Sequence, residues 1–288
     1  MQEVKSHQEE ELHEEPYKVS TRRKIARWVT GVILLYGFIG YLLYTFQEKF
    51  LFHPEPLPSD YTFQFDDPFN EIFIAINSRD TLHMIQFLPK DTSMKKGVII
   101  YFHGNRDNVN RYAKYASLFT NKGYEVWMPD YPGFGKSIGE ISEKLMNTEA
   151  MEVYKLARSN FSADSIIIYG KSLGTGLASF VASERDCKRL ILETPYYSIP
   201  SLIGSYAPIY PTEWMSHYKF PTGEYLKTVK EPITIFQGTS DRVVFYKNAA
   251  KLKQVLKSGD EFITIENGGH NNLAEYPQYK QTMDSLIQ

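Results

Sequence analysis

Cysteine is almost missing from this chain: Cys187 is the single thiol among 288 residues. One thiol forms no intramolecular disulfide, no cysteine-rich zinc site and no C-x-x-C redox couple. Standing just before an apolar run, Cys187 reads as a small buried hydrophobe. An excess of charge of either sign is missing too, since 32 lysines and arginines stand against 34 aspartates and glutamates, a formal net charge of −2. That balance gives no electrostatic case for a nucleic-acid partner. No H-E-x-x-H occurs and the histidines lack metal-ligand spacing, so neither a metal nor another cofactor is expected. Gly-Lys-Ser occurs at 135–137 and 170–172, but a phosphate-binding loop needs a glycine five places earlier, where Asp130 and Ser165 stand. Internal repeats and low-complexity tracts are lacking as well.

What is present is the composition of a folded protein, 42% hydrophobic and 15% aromatic, on a chain long enough for a sizeable core. One segment stands apart. From Trp28 to Gln47 no residue is charged (WVTGVILLYGFIGYLLYTFQ), a run long enough to cross a hydrocarbon layer as a helix. A cleaved signal peptide would have a shorter lead-in and a small-residue cleavage site, and a buried core helix would show polar interruptions. The reading is therefore an uncleaved transmembrane anchor at 28–47. Arg22, Arg23, Lys24 and Arg27 crowd its N-terminal flank, against Lys49 on the other. By the positive-inside rule the N-terminus is expected in the cytoplasm and the bulk of the chain across the membrane.

Residues 1–27 carry a run of glutamates (Glu3, Glu9, Glu10, Glu11, Glu14, Glu15) without apolar periodicity and read as a solvated tail. After the anchor, 48–70 interleaves Pro54, Pro56, Pro58 and Pro68 with aromatics, which resists helix and central strand alike. A semi-extended strap is expected there, leading to one domain over 71–288. In that domain EIFIAIN (71–77) and TLHMIQFLP (81–89) suggest an antiparallel hairpin. GVIIYF (97–102), YEVWMP (124–129), SIIIYG (165–170), RLILE (189–193), PITIFQ (232–237) and EFITIE (261–266) are continuously apolar, as strands buried on both faces are. Helices fit at about 109–120, 141–159, 173–184, 245–257 and 273–286. The alternation implies a three-layer α/β fold, a mostly parallel sheet of about eight strands with helices on both faces. Ligands in such folds sit beyond the C-terminal ends of the strands.

The residues after each strand therefore matter most. Gly170-Lys171-Ser172-Leu173-Gly174 falls at a strand-to-helix junction, where flanking glycines let a serine sit on a sharp turn with Oγ projecting above the sheet. Ser172 reads as a nucleophile rather than a plain helix cap. It needs a base, and His217 and His270 follow it. His270 lies just past the last strand, whereas His217 is far from any strand end, so His270 is the candidate. The acid that orients the imidazole reads as Asp241, a few residues past the strand PITIFQ. Asp186 and Asp260 precede strands, and Glu193, which ends RLILE, stays open as the competitor. A developing oxyanion would be met by the amides of Asn105, in the loop His103-Gly104-Asn105, and of Leu173. His103 reads as shaping that loop. The aromatic stretch within about 194–230 suggests a small lid, where Tyr196, Tyr197 and Trp214 either bind substrate or cover the sheet end as core.

HGN after the third strand, DYPGFGKS (130–137), GKSLGTG (170–176), GTSDRVV (238–244) and GGHNN (268–272) together resemble an α/β-hydrolase. The strap QEKFLFHP (47–54) further resembles the Bem46-like branch, whose members carry an N-terminal hydrophobic segment. The resemblance implies a membrane-anchored serine hydrolase of carboxylic esters or thioesters, in a family that includes acyl-removing thioesterases and lipases. It leaves serine aminopeptidase chemistry and a catalytically silent scaffold as alternatives. Arg106-Asp107 replace the small residues that often follow HGN, which puts the charge preference for substrate in question.

Overall fold

The computed structural model describes residues 21–91 and 95–288; most of the expected acidic tail lies outside the described residues. The chain divides into two units, Met1–Thr45 and Phe46–Gln288. In the first, helix α1 runs Thr21–Thr45, and none of its residues is buried. It starts before the apolar run because Thr21–Arg27 holds no proline or glycine to stop a helix, so these residues, expected as tail, are its first turns. Its length and hydropathy suffice to cross a membrane.

The second unit starts well before residue 71, because the strap is built into it. Ahead of the first proline, Gln47–Leu51 form a short helix, α2. His53–Pro54 then form a two-residue strand, β1. Phe52 and Phe63 are buried in the core, each contributing about 1.5–3 kcal/mol of apolar burial. Strands β2 (Phe69–Ala75) and β3 (Thr81–Phe87) make the expected hairpin.

The chain continues as β4 (Gly97–Phe102), β5 (Arg106–Asp107), α3 (Val109–Tyr112), α4 (Ser117–Thr120), β6 (Tyr124–Pro129), α5 (Glu143–Asn160) and β7 (Ile166–Lys171). Next come α6 (Gly174–Glu184), β8 (Arg189–Glu193), α7 (Ile199–Tyr206), α8 (Thr212–Met215) and α9 (Thr222–Leu226). It ends with β9 (Ile233–Gly238), α10 (Tyr246–Ala249), β10 (Glu261–Ile265) and α11 (Pro277–Leu286). The eight-stranded sheet has the order β10-β9-β8-β7-β4-β6-β3-β2. Only the pairs made by β3 are antiparallel among its described strands.

Both faces of the sheet are apolar because alternate residues of each strand point to opposite sides. Along β4, Val98, Ile100 and Phe102 join the cluster under α5 and α6, while Ile99 and Tyr101 join the cluster with Tyr279 and Met283 of α11. Three expected helices are interrupted. The segment 109–120 breaks into α3, a 3-10 turn and α4. Only 246–249 of the segment 245–257 is α-helical, before a 3-10 stretch at Ala250–Val255. Pro277 makes Tyr276 extended and so splits the last helix from the turn Leu273–Glu275.

Candidate active site

Strand β7 runs between β4 and β8, and its C-terminal end delivers Ser172. Ser172 has φ +52°, left-handed backbone that a non-glycine residue adopts only when its surroundings impose it. Two features impose it here. The Ser172 amide donates to the Glu193 carbonyl at 2.9 Å, and the chain enters α6 at once through Gly174. A Cβ at Gly174 would overlap the carbonyl oxygens of Phe102 and His103, so only glycine lets the helix start so close to the end of β4.

The Oγ of Ser172 lies 2.9 Å from Nε2 of His270, and Nδ1 of His270 lies 2.8 Å from Oδ2 of Asp241. The three residues come from the loops that follow β7, β9 and β10, with β8 standing between β7 and β9 in the sheet. Asp241 is buried, and its Oδ1 accepts from the Val243 and Val244 amides at 2.8 and 2.9 Å. Its Oδ2 accepts from Gln237 Nε2 at 3.2 Å as well as facing His270. A carboxylate so surrounded by donors accepts the Nδ1–H of His270, which leaves Nε2 with a lone pair for the serine hydroxyl. The imidazole itself is 11% exposed, sheltered yet reachable.

Glu193, the competing acid, turns away from this relay. Its carboxylate pairs with Lys171, buried beside the nucleophile, and accepts from the hydroxyls of Tyr169 and Tyr279. Lys171 Nζ also reaches the His270 carbonyl at 3.5 Å. Sequence spacing alone missed this buried pair, although a lysine inside the sharp turn Gly170–Gly174, the nucleophile elbow, and a glutamate closing the next strand were its visible signals.

The loop after β4 abuts the nucleophile: a Cβ at Gly104 would lie 3.7 Å from that of Ser172. His103 shapes that loop. Its Nδ1 bonds the Gly104 carbonyl at 2.7 Å, and its ring stacks on Tyr112 with centroids 4.9 Å apart. Its Nε2 faces Asp130, a fully buried carboxylate that also meets His83. Burial works to raise the pKa of Asp130, but the bonds from His103 and His83 outweigh it and hold the acid below its ordinary value.

The aromatic candidates scatter. Tyr196 is buried core, its hydroxyl donating to the Leu173 carbonyl at 3.1 Å. Tyr197 leans on Gly223 and bonds Glu224 at 3.3 Å, and Trp214 is 88% exposed. The lid segment holding them is folded as α7, α8 and α9. His217 lies in that segment, where its amide donates to Gln47 Oε1 of the strap at 2.7 Å. Cys187 is buried, and burial pushes its thiol pKa up, which makes it unreactive. Among the described residues no group of three or more metal-ligating side chains gathers.

Known proteins resemble this chain in sequence and fold. Residues 93–222 match the family model described as serine aminopeptidase, S33. Mouse alpha/beta hydrolase domain-containing protein 17C is 24% identical over 222 residues, covering 75% of this chain and 67% of its own length. The chain thus spans about two thirds of the curated relatives it matches. Among solved structures, an esterase from Pyrococcus furiosus has a TM-score of 0.61 at 17% identity, covering 82% of this chain and 98% of its own. The thioesterase domain from the curacin biosynthetic pathway has a TM-score of 0.56 at 15% identity, covering 77% of this chain and all of its own (100%).

Proposed function

We propose that this chain, an α/β-hydrolase, is a serine hydrolase that cleaves carboxylic ester or thioester bonds through an acyl-enzyme. The observation that carries the reading is the continuous relay from Ser172 Oγ through His270 to Asp241, with spacings of 2.9 and 2.8 Å. His270 takes the hydroxyl proton as Ser172 Oγ attacks the acyl carbonyl, and Asp241 stabilises the imidazolium that forms. The oxyanion of the tetrahedral intermediate accepts from the amides of Asn105 and Leu173. His270 returns the proton to the leaving group, and water activated by the same ring releases the acid.

The apolar helix α1 serves as a membrane anchor in this reading, and the basic flank Arg22–Arg27 keeps its N-terminus on the cytoplasmic side. Acyl-bearing substrates at the lipid surface are then the natural class. An esterase and a thioesterase domain share the fold, which supports acyl transfer to water without choosing between the two bonds. The family model's name favours a second reading, hydrolysis of peptides from a free amino end.

One experiment separates these. Wild type, Ser172→Ala and His270→Ala are exposed to a fluorophosphonate probe and assayed on p-nitrophenyl esters of short and long chains and on aminoacyl p-nitroanilides. The expected result is labelling and ester turnover in wild type alone, with loss of roughly 10³-fold or more in either variant. Full esterase turnover by Ser172→Ala would sink the assignment. Preference for the anilides would move it to the peptidase reading.

A further inference from the structure

An oxyanion donor is useful only if it points at the right place before the charge develops. Asn105 sits in a connecting loop between β4 and β5, outside the eight-stranded ladder. The bonds that hold it come from the strap. The His53 amide donates to the Asn105 carbonyl at 2.9 Å, and Asn105 Nδ2 donates to the Leu51 carbonyl at 2.7 Å. One residue is thus gripped through both its main chain and its side chain.

The grip continues along the loop. β1 pairs with β5 in parallel, His53 opposite Arg106 and Pro54 opposite Asp107. The Glu55 amide reaches the Asp107 carbonyl at 3.3 Å, and Asn108 Nδ2 reaches the Glu55 carbonyl at 2.9 Å. Asp107 has φ +68°, a conformation that such pairing sustains. The strap is itself fixed. Leu57 donates to the Gly135 carbonyl at 2.7 Å, Phe52 packs edge-on to Tyr218 with centroids 4.8 Å apart, and Gln47 Nε2 donates to the Met215 carbonyl at 3.2 Å.

From this we infer that the strap's residues 51–55 are positioning residues for the oxyanion hole, setting the direction of the Asn105 N–H. The peptide between Gly104 and Asn105 is planar, so its orientation is settled by its two ends. His103 Nδ1 holds the Gly104 carbonyl at one end, and the strap holds Asn105 at the other. This inference rests on the serine hydrolase reading and adds to it that the segment joining α1 to the domain takes part in rate acceleration.

The test uses the full chain carrying His53→Pro, which removes the amide donor, or Asn105→Ala, which removes the side-chain donor and keeps the Asn105 amide. Ser59→Ala, an exposed strap residue, is the control. Active sites are counted by fluorophosphonate titration, and kcat, KM and the affinity for a trifluoromethyl ketone, which binds as a tetrahedral oxyanion, are measured per active site. Both variants are expected to lose about tenfold in kcat with KM within about threefold, and to lose ketone affinity by the same factor. The control should match wild type. A purely structural role would lower the count of active sites and leave per-site values alone.

Wild-type kcat per site in a folded Asn105→Ala, or a lower kcat with unchanged ketone affinity, overturns the inference. If His53→Pro does not fold, Asn105→Ala decides alone. Ser172→Ala in the same assay keeps the two readings apart. Turnover by Ser172→Ala removes the hydrolase reading, whereas an inactive Ser172→Ala beside fully active strap variants removes only this inference.

Discussion

Glu193 ends β8 and Asp241 follows just past its neighbour β9; both are buried, and their surroundings give them different work. Asp241 receives neutral donors and the imidazole, while Glu193 receives an ammonium and two phenols. Position after a strand was legible in the sequence for both acids, which is why both were candidates. Which carboxylate turns toward His270 was not, because it depends on the Lys171 side chain reaching across to β8. The same holds for the aromatic residues of 194–230, whose composition suits pocket and core equally. A third acid was invisible as anything but a helix residue. Glu149 of α5 is buried, and burial, with Asp80 adding to it, pushes its pKa up to about 9. The folded protein thus keeps a proton there that the unfolded chain gives up near the ordinary value of 4.5. Stability from this group is complete below that ordinary value and is lost as pH rises toward 9. Glu149→Gln should therefore nearly match wild type near pH 5 and exceed it by roughly 4 kcal/mol near pH 8. Denaturant midpoints across that range check it, and parallel pH curves for the two proteins would refute it.

At the scale of elements, the strands were the most readable part, because a sheet covered on both faces demands uninterrupted apolar runs. β4, β6 and β8 match their runs residue for residue. Helices over 109–120 and 245–257 were less readable, since breaks into 3-10 turns leave the apolar spacing almost unchanged. The strap was readable only in part. Proline density excludes a central strand, and β1 indeed pairs only with β5, outside the main sheet, where proline is tolerated; that short pairing was not legible. The elbow was readable because its glycines are a steric necessity. Gly174→Ala should push the start of α6 away from Phe102 and His103, costing roughly 1–3 kcal/mol and slowing fluorophosphonate labelling at least about tenfold. Thermal melts with labelling kinetics measure both, and a wild-type labelling rate would show that the close approach is dispensable.

For the whole molecule, the two units differ in what they need from their surroundings. α1 exposes an apolar surface along its length, whereas Phe46–Gln288 has its own two-sided core. A chain lacking residues 1–45 should remain monodisperse without detergent and label with the same probe, as gel filtration and active-site titration can establish. Aggregation of that chain would mean that the domain has a further apolar surface in need of cover. The sequence made the division visible through the twenty uncharged residues, but put the domain's start too late, since the partners of the strap lie too far along the chain to be seen as partners. That separation sets an order of events. Gln47 and Glu48 bond Met215, His217 and Tyr218, some 170 positions later. The first part of the domain to leave a ribosome thus lacks these partners until about three quarters of the chain has been made. On the reading proposed above, a product terminated before the lid segment would carry Ser172 while Gln47 and Glu48 lack the partners that seat the start of the strap.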